Sequence, residues 1–160
     1  MNEIKLKPIG TIYTPFKEPV GVPIQSIAGK GIEGRIEVYP EYEEGLADTE
    51  GFSHLILLFH LHKSWKKDLK VIPFMDEEYR GVFSTRSPNR PNPIGLSIVE
   101  LVKREGNILY IRDLDIIDGT PLLDIKPYIP QSDIRETDKI GWLKSRISKR
   151  NDIKDDDSFV

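Results

Sequence analysis

Apolar and polar positions alternate along this chain in short runs of strand character. Ile4 to Tyr13, Gly34 to Tyr39, His54 to His62, Arg80 to Ser84, Leu96 to Val102, Ile108 to Asp113 and Leu122 to Tyr128 are rich in β-branched and aromatic residues, with turn-forming residues between them. Glu105-Gly106 makes a hairpin turn between two of these runs, because glycine takes up positive φ without strain. His54 to His62 is apolar on both faces and is expected to be a central strand covered on each side. Helical signal is sparse before residue 130, although Glu41 to Leu46, after Pro40, can form a turn or two. The pattern predicts an all-β fold, a small and mostly antiparallel barrel or sandwich with short helical segments. From Ser132 the period changes. Ile140, Leu143 and Ile147 recur at helical spacing, which predicts a C-terminal helix over Asp133 to Arg150 lying on the barrel, with Asp155 to Asp157 in a frayed tail. No repeat or linker divides residues 1–160, so one domain is expected.

Composition narrows the classes. The chain has 160 residues, with 12 Gly, 12 Pro and no cysteine, which excludes a disulfide framework, a thiolate metal site and a cysteine nucleophile. The longest apolar run, Leu55 to Leu61, contains His60 and falls far short of the ~20 residues of a membrane span. The N-terminus, Met1-Asn2-Glu3-Ile4-Lys5, lacks the apolar core of a secretory signal, so a cytoplasmic protein is expected. Lys and Arg number 23 against 26 Asp and Glu, for a net charge of -3. That balance argues mildly against a dedicated nucleic-acid binder but permits a local basic face.

Several segments have the residue types of a site. Gly29-Lys30-Gly31-Ile32-Glu33-Gly34 matches the glycine pattern of dinucleotide-binding folds, but Arg35 to Pro40 follows it as a strand. The mechanism needs a helix N-terminus at that point to hold the pyrophosphate, so the match is accidental. Thr85 to Gly95 carries three prolines, two arginines and two asparagines. Such a loop can hold polar groups in place at little entropic cost, or serve only as a stiff connection whose arginines pair with surface acids. Asp118-Gly119-Thr120-Pro121 reads as a tight turn whose backbone amides are able to hold a ligand's polar edge, or as a plain turn. His60 and His62 share a strand face without an evident third ligand, so no metal site is assigned. No nucleophile elbow, P-loop or paired-carboxylate signature is present.

The order of these segments adds more than any one alone. Pro8 to Ile12, Val22 to Gln25, Gly51 to Leu55, Gly81 to Ser87, Arg90-Pro91-Asn92-Pro93-Ile94-Gly95-Leu96-Ser97, and Asp115 to Pro121 followed by Asp124 to Tyr128 together resemble the TsaA-like family. The resemblance covers about residues 4 to 130. It implies a small β-barrel methyltransferase that binds S-adenosylmethionine (SAM), works as a homodimer and modifies N6 of an adenosine in tRNA. The implied acceptor is threonylcarbamoyl-adenosine beside the anticodon. The family's cofactor contacts fall on Pro23, Ile24, Gln25, His62, Lys63, Arg86, Leu96, Asp118, Gly119, Thr120 and Pro121.

A sulfonium donor needs no metal and no covalent intermediate, only a protein that aligns methyl and acceptor. Arg86 is suited to the donor's carboxylate. Asp118 is the favoured proton acceptor, with Asp124 and Asn92 behind it. RNA contacts are sought at Arg90, Asn92 and Lys126, and on Lys139, Lys144, Arg146, Lys149 and Arg150. A SAM-binding protein without transferase activity, and a methyltransferase for another substrate, are the competing readings.

Overall fold

The computed structural model describes residues 1–19 and 29–146. Eight strands form: β1 (Gly10–Tyr13), β2 (Glu33–Val38), β3 (His54–His60), β4 (Lys70–Val71), β5 (Arg80–Gly81), β6 (Ile94–Glu105), β7 (Ile108–Arg112) and β8 (Thr120–Pro127). Six of them close an antiparallel barrel in the order β1-β2-β7-β6-β3-β8, and β4 and β5 pair as a separate two-stranded sheet. The fold class read from the sequence is the one observed.

A closed barrel has a single inner face, so period-2 alternation decides what is buried. Ile12 lies opposite Ile36, Leu55 opposite Val99, and Leu101 opposite Ile111, all of them buried. Leu114 and Ile116, just before β8, join this core, and Leu46 does so from the 3-10 segment Pro40–Leu46. β3 corrects the expectation of a strand covered on both sides. Leu55, Leu57 and Phe59 are buried, while Ile56 and Leu58 sit half-buried on the outer wall. The β6–β7 hairpin turns at Gly106 with φ 60°, as the Glu105-Gly106 signal requires.

Three other expectations are corrected. Residues 1–8 are exposed, and the first strand begins only at Gly10. Arg80 to Ser84 is strand for two residues and then a 3-10 turn, Val82–Ser84, which the Thr85 N–H closes on the Val82 carbonyl (3.1 Å). The helix over Asp133 to Arg150 is absent from its described part. A single turn, α1 (Pro130–Asp133), and a 3-10 segment, Gly141–Ser145, stand in its place. Gly141 has φ 59°, a left-handed conformation that stops a right-handed helix. Residues 147–150 lie outside the described residues. Among the described residues no helix is long and apolar enough to cross a membrane.

Candidate functional site

Predicted site residues from distant parts of the chain meet at the rim where β3 ends and β6 and β8 begin. The ladder sets this up: His60 pairs with Ile94, Leu58 with Leu96, and Phe59 with Leu122 of β8. Leu96 therefore points outward beside the end of β3, and it is exposed. Past the strand, the Leu61 N–H donates to the Pro93 carbonyl (2.8 Å), which carries His62 toward the first residue of β8, Thr120.

Thr120 and His62 fix each other's protons. The Thr120 hydroxyl donates to the Ile117 carbonyl at 2.6 Å, and a hydroxyl has one proton. The His62 Nδ1, 3.4 Å from the same oxygen, must then be the donor in a long hydrogen bond. That contact supports the Nδ1–H tautomer, which puts the ring's lone pair on Nε2. Burial, then the charges of Lys63 and His60, hold the His62 pKa below its ordinary value, against a raising backbone hydrogen bond at His60. The ring is neutral at neutral pH.

The Asp118-Gly119 corner is built from the other side of the barrel. Gly119 has φ 76°, and a side chain there would meet nothing within 4 Å, so the corner is open. The Asp118 carboxylate is committed: Oδ1 accepts the Thr14 N–H at 2.9 Å, and Oδ2 pairs with Lys17 at 2.5 Å. The Asp118 N–H donates to the Phe16 carbonyl (2.7 Å) and the Gly119 N–H to that of Ile12 (2.9 Å). Burial raises the Asp118 pKa, but the hydrogen bonds from Lys17 and Thr14 and the charges of Lys17 and Arg35 outweigh it and leave a net depression. A carboxylate held anionic by two partners is a poor proton acceptor. Asp118 is better suited to anchoring the corner than to the base role expected of it.

The proline-braced loop is rigid for an identifiable reason. Ser87 and Asn89 are 1% and 5% exposed, and among the described residues every buried side-chain polar atom has a partner. The Ser87 N–H donates to Thr85 Oγ1 (3.2 Å), the Asn89 N–H to Ser87 Oγ (3.2 Å), and the Ser64 hydroxyl faces Asn89 Oδ1 (2.8 Å) and the Pro88 carbonyl (3.0 Å). Gly95 closes the loop because a Cβ there would sit 2.3 Å from the buried Phe59 ring. Arg90 directs one Nη to the Thr85 and Ser87 carbonyls (3.1 and 3.2 Å), so it braces the loop. Arg86 and Asn92 stand exposed on it.

The rim thus unites His62, Leu96 and the Asp118 to Pro121 corner, with Lys63 exposed next to His62. Pro23, Ile24 and Gln25 lie outside the described residues, as do Lys149 and Arg150. Lys126 is apart from the rim, opposite Ile56 on the outer wall and paired with Asp124 at 2.8 Å. Asp124 in turn lines a cavity of 680 Å³ on the side of the barrel where β3 begins, with Ile9, Leu46, Phe52, Leu55 and Ile125. Arg146 is taken by Asp76 (3.2 Å). Thr14, Lys17 and Ser64 were not legible as site residues, since their roles arise only from pairings 25 to 104 residues apart in sequence. Among the described residues no group of three or more His, Asp or Glu is arranged to hold a metal. The glycine triplet runs from Gly29 into β2, with no helix after it.

A closed antiparallel barrel with polar residues gathered at one rim defines a class apart from the doubly wound nucleotide-binding sheets. The tRNA-methyltransferase O N-terminal domain family matches residues 11–134, and the chain belongs to that family. It is 59% identical over 153 residues to a probable S-adenosyl-L-methionine-binding protein of Pyrococcus abyssi, covering 96% of this chain and 83% of that one. It is 38% identical over 140 residues to the tRNA (adenine(37)-N6)-methyltransferase of Escherichia coli, covering 81% of this chain and 60% of that enzyme. The crystal structure of TrmO from Pseudomonas aeruginosa matches with a TM-score of 0.74 at 34% identity, over 88% of this chain and 63% of that one. The chain therefore spans somewhat under two thirds of these two longer relatives.

Proposed function

We propose that this chain is a SAM-dependent methyltransferase acting on N6 of an adenosine in tRNA, with threonylcarbamoyl-adenosine beside the anticodon as the acceptor. The observation that carries the reading is the gathering of His62, Leu96 and the Asp118 to Pro121 corner at one rim. The likeness to the E. coli tRNA (adenine(37)-N6)-methyltransferase supplies the chemistry. The rim suits the cofactor: exposed Leu96 and half-buried Pro121 offer apolar surface, and the open Gly119 corner leaves room beside it, its amide and that of Asp118 already donating to Ile12 and Phe16. Exposed Arg86, on the braced loop, has the planar fork for a carboxylate.

When bound, SAM supplies a methyl already activated on a sulfonium. The chain's own residues orient it and its acceptor and receive a proton. The nitrogen that gains the methyl gives up its hydrogen, and the neutral His62 imidazole, with a lone pair on Nε2, is the group suited to take it. Asp118 holds the corner while this happens. A second copy of the chain fits the outer wall of β3 and β6, where Ile56 faces Ile98 and Leu58 faces Leu96 without an intervening charge. Homodimerisation through that wall is part of the reading.

The name of the P. abyssi relative favours one alternative, a SAM-binding protein without transferase activity. Labelled SAM incubated with the chain and total tRNA separates them: nuclease-sensitive incorporation is expected, and SAM binding without incorporation would replace the first reading with the second. His62→Gln should lower the single-turnover rate by about 100-fold or more, the size of a lost general base. The wild-type rate should rise with pH and level off below pH ~6.5, since the His62 pKa lies under its ordinary value.

A further inference from the structure

Between β3 and the braced loop the chain extends an arm, residues 63–83, that takes no part in closing the barrel. Its composition is unlike the rest of the surface. Trp65, Phe83 and Tyr79 are 84%, 75% and 70% exposed, and Leu69 is exposed between them. Lys63, Lys66, Lys67 and Lys70 are interleaved with Trp65 and Leu69, all exposed and none in an ion pair among the described residues, against only Asp68 over 63–70. The acids at the far turn are partly answered already: Asp76 by Arg80 (2.6 Å) and Arg146 (3.2 Å), and Glu78 by Arg80 (3.3 Å).

The arm is placed, not loose. Ser64 is tied to Asn89 and Pro88, the Asp68 N–H reaches the Asn89 carbonyl (3.4 Å), and Val71 and Val82 are buried beneath the arm. Trp65 follows His62 by three residues, so at most about 10 Å of backbone separates it from the rim. The geometry points to this arm as the surface that holds unpaired bases of an RNA loop beside the rim, Trp65 and Phe83 stacking on bases and Lys66, Lys67 and Lys70 meeting phosphates. The inference rests on the tRNA reading above and adds where the RNA sits.

Two arguments favour RNA over a protein partner. Unpaired bases are recognised by aromatic faces with cations beside them, and the arm has exposed aromatics and the lysines of 63–70. Protein interfaces are depleted of lysine at their centre, and a two-fold contact would set this lysine cluster against its own copy. The outer faces of Ile56, Leu58, Leu96 and Ile98, beside which Lys126 and Asp124 are already paired with each other, suit a second copy better.

The test uses the full chain with three probes: unfractionated tRNA, a labelled hairpin RNA with an unpaired loop, and the paired duplex of the same length. Trp65→Ala and Phe83→Ala are each expected to weaken hairpin binding roughly five- to 100-fold, the size of one lost base stack. Lys66→Glu combined with Lys67→Glu should weaken all three probes and make the salt slope shallower by about 0.7 for every single-strand phosphate the protein no longer neutralises. SAM affinity by calorimetry should stay as in wild type, which also shows that the variants fold. If the wild type methylates tRNA while these variants bind the hairpin as it does, the inference alone falls. If they change only the oligomeric state, the arm is a protein interface and the inference also falls. If the variants lose hairpin binding but the wild type transfers no methyl to tRNA, the arm stands and the methyl-transfer reading falls.

Discussion

The molecule has two outward surfaces that both break the rule of a polar exterior, and they do so in opposite ways. The wall of β3 and β6 shows Ile56, Leu58, Leu96 and Ile98 side by side with no charge between them, on a rigid ladder. The arm over 63–83 exposes Trp65, Tyr79 and Phe83 and carries four lysines, around a two-stranded sheet tied to the braced loop through Ser64. Regular apolar surface whose bordering charges, Lys126 and Asp124, are already paired suits a copy of itself. Aromatic surface surrounded by cations suits an anionic partner with π-faces. The difference shows that exposed hydrophobicity means little until the charge around it is considered.

The sharpest way to break the comparison is Ile98→Arg. If the wall joins two copies, this puts an unpaired charge into the interface and should weaken the dimer by about 100-fold or more, measured by sedimentation across a concentration series. Affinity for the hairpin RNA should be unchanged. A variant that remained dimeric would remove the wall from the proposal.

A smaller effect comes from Gly95→Ala, at the end of the wall. The added Cβ would meet the Phe59 ring at 2.3 Å, so the ring must shift within the core. The expected cost is about 1–3 kcal/mol, read as a fall in Tm of ~2–4 °C for each kcal/mol. Lys66→Glu with Lys67→Glu should leave Tm nearly unchanged, because both side chains are exposed and neither is in an ion pair among the described residues.

Asp118→Asn tests the corner. It keeps the acceptor for Thr14 and loses the charge facing Lys17, so SAM affinity should fall a few-fold while the single-turnover rate at saturating SAM stays within about three-fold. A 100-fold loss of rate would restore Asp118 as the proton acceptor.

The smallest effect lies at the base of the arm. The Asp76 side chain is fully inaccessible, and the Arg80 hydrogen bond, against burial and aided by the Glu77 and Glu78 amides and the Arg146 charge, lowers its pKa to about 2. A depressed carboxylate favours the fold above its unfolded value near 3.9, and that contribution is lost as pH falls from about 4 toward 2. Fluorescence of Trp142 in a Trp65→Phe background should report its release in that window, and Asp76→Asn should flatten the transition.

Much of this was legible in the chain. The alternation at Leu55, Leu57 and Phe59, the Gly106 turn and the strand after the glycine triplet depend on local chemistry, and local chemistry can be read. The helix over Asp133 to Arg150 failed because its signal, Ile140 and Leu143 at helical spacing, presumed an apolar surface to pack against. Ile134 and Ile140 are exposed instead, and Gly141 adopts a conformation that ends a helix. The rim was legible as separate motifs but not as an arrangement. Asp118 looked like a base because nothing in Asp-Gly-Thr-Pro announces Lys17, 101 residues away. The arm carried a signal that went unread, since Lys63-Ser64-Trp65-Lys66-Lys67 sets an aromatic among cations.

The far end of the described chain fastens the arm at its base. The Trp142 indole N–H donates to the Ser84 carbonyl at 2.9 Å, its ring lies under the Arg80 guanidinium, and Arg146 reaches Asp76. These clasping residues come after position 134, where the family match stops. Shortening the chain to the shared barrel would therefore keep its walls and rim yet leave the lysine-bearing arm without its buckle.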